Sequence, residues 1–226
     1  MKNLTHSFLL FSILLFSVSI FSTCKKHTCL SDEKIGDLEL HANTLFYMPY
    51  SGSEKLVFKN ATGDSLILQS TDGKRISKEQ LCVETTCTDP KIKGNSTCKY
   101  FEGESQRIIF QNTEKTILID ILITSEVYEP NTQKFYDFLQ VGISVDDYNE
   151  VAGFVTHTNF SGPINNEKTV IQNFLIGDTY GMEINNKFFG YPLVFEGNPL
   201  KFYYNGPHGV IRFATPDEVW NLDHVE

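Results

Sequence analysis

The sequence predicts an all-β protein, built as an antiparallel β-sandwich or a partly closed, curved β-barrel with at most one short helix. Short runs rich in β-branched and aromatic residues recur along the chain, and turn-forming residues separate them. Few segments show the spacing of an amphipathic helix. With 226 residues, of which 41% are hydrophobic, the chain is long enough to bury a sizeable core.

Fourteen runs are predicted as strands because Gly, Pro, Asn or Asp residues punctuate the chain between them. Several of these runs are long enough to curl tightly only in a sandwich or a barrel. The predicted strands are residues 38–46, 55–59, 65–70, 99–102, 106–111, 116–127, 135–145, 151–158, 169–176, 180–184, 192–195, 200–204, 210–214 and 219–222.

The run 116–127 is predicted as a central strand. Isoleucines at positions 117, 119, 121 and 123 share one face, because side chains alternate along a strand. The other face carries two leucines with Asp120 and Thr124, so both faces are expected to be mostly covered. Trp220, the only tryptophan, lies in the last predicted strand and is expected to pack into the core.

One short helix is predicted over residues 77–84. Ser77 suits the N-cap position, and Gln80 three residues later completes a capping box. No linker rich in Gly, Ser or Pro interrupts residues 35–226, and no repeat of fixed period is present. These residues are therefore predicted to form a single β domain.

Residues 1–23 are predicted to be a signal peptide. Lys2 is followed by an uncharged apolar run, residues 8–21, which is short for a spanning helix of about 20 residues. Ser22 and Thr23 then precede Cys24, an arrangement that resembles a bacterial lipobox. That resemblance implies that Cys24 is the first mature residue and carries diacylglycerol and an N-acyl chain. The alternative is an ordinary signal peptide cut nearby, with Cys24 in a disulfide.

Residues 24–34 are predicted to form a lipidated polar tether. Lys25 follows Cys24, and a residue other than Asp at this position resembles the outer-membrane signal of enterobacterial-type sorting. We therefore expect a protein of the bacterial cell envelope, anchored to the outer membrane and facing the periplasm. The expected partners are the membrane, through the lipid anchor, and an envelope protein that the sequence does not identify. The acidic balance, 28 Asp and Glu against 19 Lys and Arg, argues against nucleic acid as a partner.

Four further cysteines are disulfide candidates, namely Cys29, Cys82, Cys87 and Cys98. Cys82 and Cys87 are too far apart to bridge along an extended strand. A proline and a glycine favour a chain reversal between Cys87 and Cys98. We expect bridges Cys87–Cys98 and Cys29–Cys82, of which the second would tie the tether to the domain. A zinc site is the alternative, but the paired Cys-x₂-Cys spacing is missing.

The Gly-Asp-Ser-Leu sequence at residues 63–66 has the letters that name an esterase family. In that family the serine follows a buried strand and begins a helix, whereas Ser65 follows a turn-forming run and precedes a strand-like run. Asp223 and His224 are adjacent, although the acid and base partners of that family should lie three residues apart. We predict a β-turn here, no catalytic residue and no enzymatic activity.

No cofactor and no metal site is predicted. The histidines at positions 41, 157, 208 and 224 lack short ligand spacing and are interpreted as surface or turn residues. The acidic run 146–150 offers oxygen atoms to Ca²⁺ but lacks the Asp-x-Asp-x-Asp-Gly pattern, so it is interpreted as a solvated turn between two strands. No phosphate-binding loop or nucleotide fingerprint is present.

The lipobox and two further stretches carry a resemblance to a family. Residues 48–52 read Met-Pro-Tyr-Ser-Gly, and residues 56–64 read Leu-Val-Phe-Lys-Asn-Ala-Thr-Gly-Asp. Near the C-terminus, a Tyr-Tyr pair at 203–204 is followed by Gly-Val-Ile-Arg-Phe at 209–213 and Trp-Asn-Leu at 220–222. With these motifs the chain resembles small uncharacterised lipoproteins of Bacteroidota-type bacteria. The resemblance implies an anchored β domain and transfers no catalytic residues.

The sequence thus predicts a lipid-anchored envelope protein with a non-catalytic binding or structural role. Two alternatives remain open. A curved sheet with many Phe and Tyr side chains could line a cavity and carry a lipid or a small apolar ligand. A hydrolase would need two carboxylates, or a serine and a histidine, that converge in a cleft.

Overall fold

The computed structural model describes residue 29 and residues 31–88, 96–129, 131–161, 172–173, 175–176 and 181–226. The predicted fold class is confirmed: 66% of the described residues are in strands and 2% are helical, and the antiparallel sheet is nearly closed into a barrel. The chain divides into two compact units, one within Met1–Asp32 and Thr85–Cys98 and one comprising Glu33–Glu84 and Lys99–Glu226. Within the described ranges, no helix is long and apolar enough to cross a bilayer.

The described residues form sixteen strands and one helix of a single turn. The first half of the chain contains β1 (Glu33–Leu38), α1 (Ala42–Leu45), β2 (Lys55–Lys59), β3 (Ser65–Ser70), β4 (Arg75–Thr88), β5 (Ser96–Gln111), β6 (Ile117–Glu129) and β7 (Lys134–Val145). The second half contains β8 (Tyr148–Thr158), β9 (Gln172–Asn173), β10 (Leu175–Ile176), β11 (Gly181–Ile184), β12 (Lys187–Gly190), β13 (Leu193–Glu196), β14 (Lys201–Asn205), β15 (Gly209–Ala214) and β16 (Val219–Val225).

Fourteen of these strands belong to one sheet. Its order is β10-β13-β14-β15-β16-β2-β3-β5-β6-β7-β8-β9, with β1 and β4 also paired to β5, while β11 and β12 form a separate hairpin. The strands at the two ends of this path, β9 and β10, are separated by one residue of sequence. The chain itself therefore links the two ends of the sheet. Among the pairs with a described register, only β1–β5 and β8–β9 are parallel.

Alternating side chains of the strands fill the interior of the sheet. On β6, Ile119, Ile121 and Ile123 are fully buried, which confirms the predicted apolar face of this central strand. Large rings from other strands join the same cluster, because the sheet curves until its inward faces meet. The fully buried rings of this cluster include Phe58, Phe110, Phe202, Tyr204 and Phe213. Burying one such side chain contributes about 1.5–3 kcal/mol. Trp220 packs against this core while partly buried, as predicted.

Residues 39–50, which we call the cap segment, form α1 and its flanks instead of the strand predicted over 38–46. The chain turns because the Nδ1 atom of His41, at the N-cap, accepts a hydrogen bond from the N–H of Asn43 at 3.1 Å. The Tyr50 hydroxyl donates to the carbonyl of His208 at 3.0 Å. Gly209, with φ +72°, lies so close to the Tyr50 ring that the site has no room for a Cβ atom.

The helix predicted over residues 77–84 is wrong, since these residues lie within β4. Pairing with β5 gives β4 its backbone hydrogen bonds, and this tertiary contact overrides the local capping signal. The predicted strands 99–102 and 106–111 join into the single strand β5, and β12 was not predicted. The turn predicted within 146–150 is confirmed at Asp146, which has φ +51° between β7 and β8. Part of the predicted strand 169–176 lies outside the described residues.

Candidate functional site

The predicted lipidation residue, Cys24, and the predicted signal peptide lie outside the described residues. The first described residue is Cys29, and β1 begins at Glu33, two residues before the predicted start of the β domain. Within the N-terminal segment, the described contacts begin at Cys29.

Cys29 forms a disulfide with Cys87, with their Cα atoms 5.6 Å apart. The predicted pairings Cys87–Cys98 and Cys29–Cys82 are therefore wrong. The hairpin of β4 and β5 explains the error, because the Thr86 hydroxyl donates to the Thr97 carbonyl at 3.1 Å. Since Thr86 faces Thr97, Cys87 and Cys98 lie on opposite sides of that pair and do not face each other.

The other two predicted disulfide candidates lie on the same hairpin. Cys82 is exposed on β4, and Cys98 is half-buried on β5. The backbone N–H of Cys98 donates to the Asp32 carboxylate at 2.9 Å. The N-terminal segment is thus held to the hairpin twice, by a covalent bond at Cys29 and by a hydrogen bond at Asp32.

Charged side chains at the surface join three neighbouring strands, β1, β4 and β5. We call residues 33–38, 75–84 and 99–103 the ribbon. Lys34 of β1 contacts Glu102 of β5 at 2.5 Å, and Lys78 of β4 contacts Asp37 of β1 at 2.6 Å. Hydrogen bonds from Lys78 and then Lys34 lower the pKa of Asp37 below its ordinary value. Exposed ion pairs are individually weak, so the ribbon depends on several of them acting together.

A buried carboxylate fastens the cap segment to the barrel. Asp137 of β7 is 6% exposed. Its Oδ2 atom accepts hydrogen bonds from the backbone N–H of His41 and from the Thr44 hydroxyl, both at 2.8 Å. Its Oδ1 atom accepts one from the Ser125 hydroxyl of β6, also at 2.8 Å. These three hydrogen bonds compensate for the loss of water around the carboxylate. The carboxylate thereby holds the cap segment against β6 and β7.

Two histidines that are far apart in the sequence, His41 and His157, meet beside this carboxylate. The register between β7 and β8 shifts after Asp137, and His157 is the residue that pairs with it. The rings of His157 and His41 stack with centroids 3.8 Å apart and an interplanar angle of 8°. Neither local sequence pattern indicated this contact, because the cap segment brings together residues that are far apart along the chain. A β-bulge of this kind re-aims side chains.

The other two predicted surface histidines have separate surroundings. His208 lies in the turn between β14 and β15, where burial and then the charge of Lys187 lower its pKa. His224 lies 2.8 Å from Asp223, and hydrogen bonds to Asp223 and then Glu226 raise its pKa. These placements agree with the interpretation of both residues as turn or surface groups.

Ser125 donates directly to the Asp137 carboxylate, while the two stacked imidazoles face each other. Ser65 begins β3 after a turn in which the Asn60 side chain accepts from the N–H of Thr62 and of Asp64, which confirms the predicted turn. Across the described residues, no three His, Cys, Asp or Glu side chains are placed to hold a metal ion.

Comparisons with known proteins add no relative. Neither a family model, nor a curated protein, nor a solved structure matches the chain. The fold and the contacts define the class: an antiparallel β-barrel protein whose N-terminal segment is held to a hairpin by a disulfide.

Proposed function

We propose that the chain is a lipid-anchored protein of the bacterial cell envelope with a non-catalytic binding or structural role. The Cys29–Cys87 disulfide carries this proposal, because it lies five residues after the lipobox cysteine, Cys24. Disulfides persist in exported proteins and are rare in the bacterial cytosol. The bond therefore supports export, and it supports a tether that ends on a defined part of the fold.

The spacing sets the reach of the anchor. Five extended residues span at most about 17 Å, so acylation at Cys24 keeps β4 at Cys87 within that distance of the bilayer surface, plus the length of the bridge. Each buried CH₂ group contributes about 0.8 kcal/mol, and more than one acyl chain gives stable attachment. The proposed tether thus keeps Cys87 of β4 close to the membrane surface.

Close packing of aromatic rings inside the sheet supports a binding or structural role over that of a ligand carrier. The rings of Phe58 and Phe213 meet inside the sheet with centroids 5.2 Å apart, and those of Tyr50 and Phe110 with centroids 4.9 Å apart. All four side chains are at most 3% exposed. A carrier needs space for its ligand, whereas these side chains occupy the interior themselves.

Metabolic labelling with a palmitate analogue tests the proposal. We expect the wild-type protein to carry the label and to fractionate with membranes, and Cys24→Ala to lose the label and appear in the soluble fraction. Cys82→Ala is the matched control, since it removes an exposed cysteine of β4 and should keep both label and membrane. Unchanged labelling and membrane retention in Cys24→Ala would defeat the proposal.

A further inference from the structure

A groove of about 280 Å³ lies where β3 and β5 separate. The described side chains around it are apolar or neutral and polar, and none of these carries a charge. They are Ile67, Gln69, Ser70, Thr71, Gln111, Asn112 and Thr113. The Ile67 side chain is 52% exposed and supplies the apolar surface of the groove.

An open strand edge borders this groove. β3 pairs with β2 along residues 65–69, but it pairs with β5 only at Gln69 and Ser70. Beyond Gln111 the chain leaves β5 and turns towards β6. Among the described residues, no strand pairs with the β5-facing edge of residues 65–68, a stretch of about 13 Å.

Two hydrogen bonds show which backbone groups face the open edge. The N–H of Thr71 donates to the carbonyl of Ile109 at 3.1 Å. The backbone N–H and C=O groups of the odd-numbered residues of this strand therefore point towards β5. The N–H of Asn60 donates to the carbonyl of Asp64 at 3.2 Å, so the backbone N–H and C=O groups of the even-numbered residues point towards β2. The N–H and C=O groups of Ser65 and Ile67 therefore point into the open edge.

Side-chain groups with unused hydrogen-bonding capacity lie at the same place. Gln69 and Gln111 are paired across the two strands, and neither side-chain amide hydrogen-bonds to another described residue. Together with the backbone of Ser65 and Ile67, they offer donors and acceptors that match a peptide backbone. The exposed Ile67 side chain offers an apolar contact beside them.

We propose that this groove binds an extended, uncharged peptide segment of a partner protein, which adds a strand to the open edge of β3. The peptide occupies the position that β5 would have if it continued past Gln111. It exchanges backbone hydrogen bonds with Ser65 and Ile67, as in β-augmentation. The neutral lining favours an uncharged partner, and the absence of an aromatic ring among the lining residues favours a peptide over a sugar. This inference rests on the binding role proposed above but not on the lipid anchor.

A phage-displayed library of random linear peptides, selected on the purified full-length protein in detergent, tests the proposal. We expect enrichment of uncharged peptides that bind Ile67→Pro about tenfold more weakly, because proline removes the N–H that faces the groove. Pairing with β2 uses the even-numbered residues, so the strand tolerates proline at this edge position. Ile67→Val keeps the N–H and a β-branched apolar side chain and is the matched control, with binding within about twofold of wild type.

A second measurement is independent of the folding of the variant. Methylation of alternate backbone nitrogens in a selected peptide should abolish its binding to the wild-type protein, while the unmodified peptide still binds. The proposal is overturned if no peptide prefers wild type over a folded Ile67→Pro, or if methylated peptides bind equally well. It is also overturned if a glycan array, or a dimer of the chain that Ile67→Pro dissociates, identifies a different occupant.

The lipid anchor and the groove can fail separately. Cys24→Ala should keep peptide binding, because Cys24 is far along the chain from β3 and the described lining residues lie between positions 67 and 113. Loss of peptide binding in Cys24→Ala would contradict the inference, whereas loss of label alone bears only on the anchor.

Discussion

The barrel interior and the ribbon are both β-sheet, yet different forces hold them. Ile119, Ile121 and Ile123 in the barrel are fully buried. In the ribbon, residues 75–80 are all exposed, and Ile76 keeps 63% of its surface in solvent. The barrel interior is therefore stabilised by apolar burial, whereas the exposed part of the ribbon depends on strand pairing and ion pairs. These parts of the molecule are therefore expected to respond differently to core mutations, to reductant and to pH, although all are built from strands.

The largest expected difference is the response to truncation of an isoleucine. Ile121→Ala should lower the free energy of unfolding by about 2–5 kcal/mol, because it opens a cavity in a fully buried site. Ile76→Ala in the ribbon should change it by at most about 0.5 kcal/mol. Urea denaturation followed by circular dichroism compares them, and similar losses in both variants would contradict the comparison.

Removing the disulfide should have the next largest effect, at the attachment of the N-terminal segment. Cys87→Ser frees a loop closed over 58 residues and should cost about 2–4 kcal/mol. Hydrogen exchange should accelerate at the Cys98 amide, which donates to Asp32, while the β6 amides stay protected. Cys82→Ser is the control that should leave both unchanged. Equal loss of protection in β6 and at Cys98 would refute this localisation.

The buried carboxylate combines features of both regions, since it is polar and buried. Asp137→Ala should cost about 1–3 kcal/mol, because the His41 N–H and two hydroxyls lose their acceptor. Asp137→Asn keeps one acceptor oxygen and should cost less. Thermal unfolding measures both variants. A stability of Asp137→Ala equal to that of wild type would show that the cap segment is held by its apolar contacts alone.

The smallest effect is expected in the ribbon, from pH. Lys78 and Lys34 lower the folded pKa of Asp37 below its ordinary value of 3.8. The stabilisation is therefore present above pH 3.8 and is lost as the pH falls through the lower, folded pKa. Hydrogen-exchange protection of β1 should decrease in this window in wild type and depend less on pH in Lys78→Met. Lys115→Met, in the β5–β6 turn, should behave like wild type.

Most of the barrel was predictable, because alternation and turn residues are local properties. The predicted strands 55–59 and 65–70 coincide with β2 and β3, and the isoleucine face of β6 indicated a central position correctly. Residues 77–84 show where local properties fail. Their capping box favours a helix, but these residues form a strand because they pair with β5, which is more distant along the chain than any residue of a capping motif.

The site was harder to predict, because its contacts join distant parts of the chain. The disulfide pairing depends on the register of β4 and β5, and Cys spacing does not determine that register. The stack of His41 on His157 and the three hydrogen bonds to Asp137 require the cap segment to lie against β7 and β8. The exposed Ile67 between two inward leucines was readable in the sequence, but the missing strand beside it was not.

The position of the Cys29–Cys87 bond has a mechanical consequence for an anchored molecule. If Cys24 carries the proposed acyl chains, tension on them enters the described part of the chain at Cys29, where the disulfide joins the N-terminal segment to Cys87 of β4. The pull is then divided between the backbone that follows Cys29 and the strand β4, so no single covalent path bears the whole load.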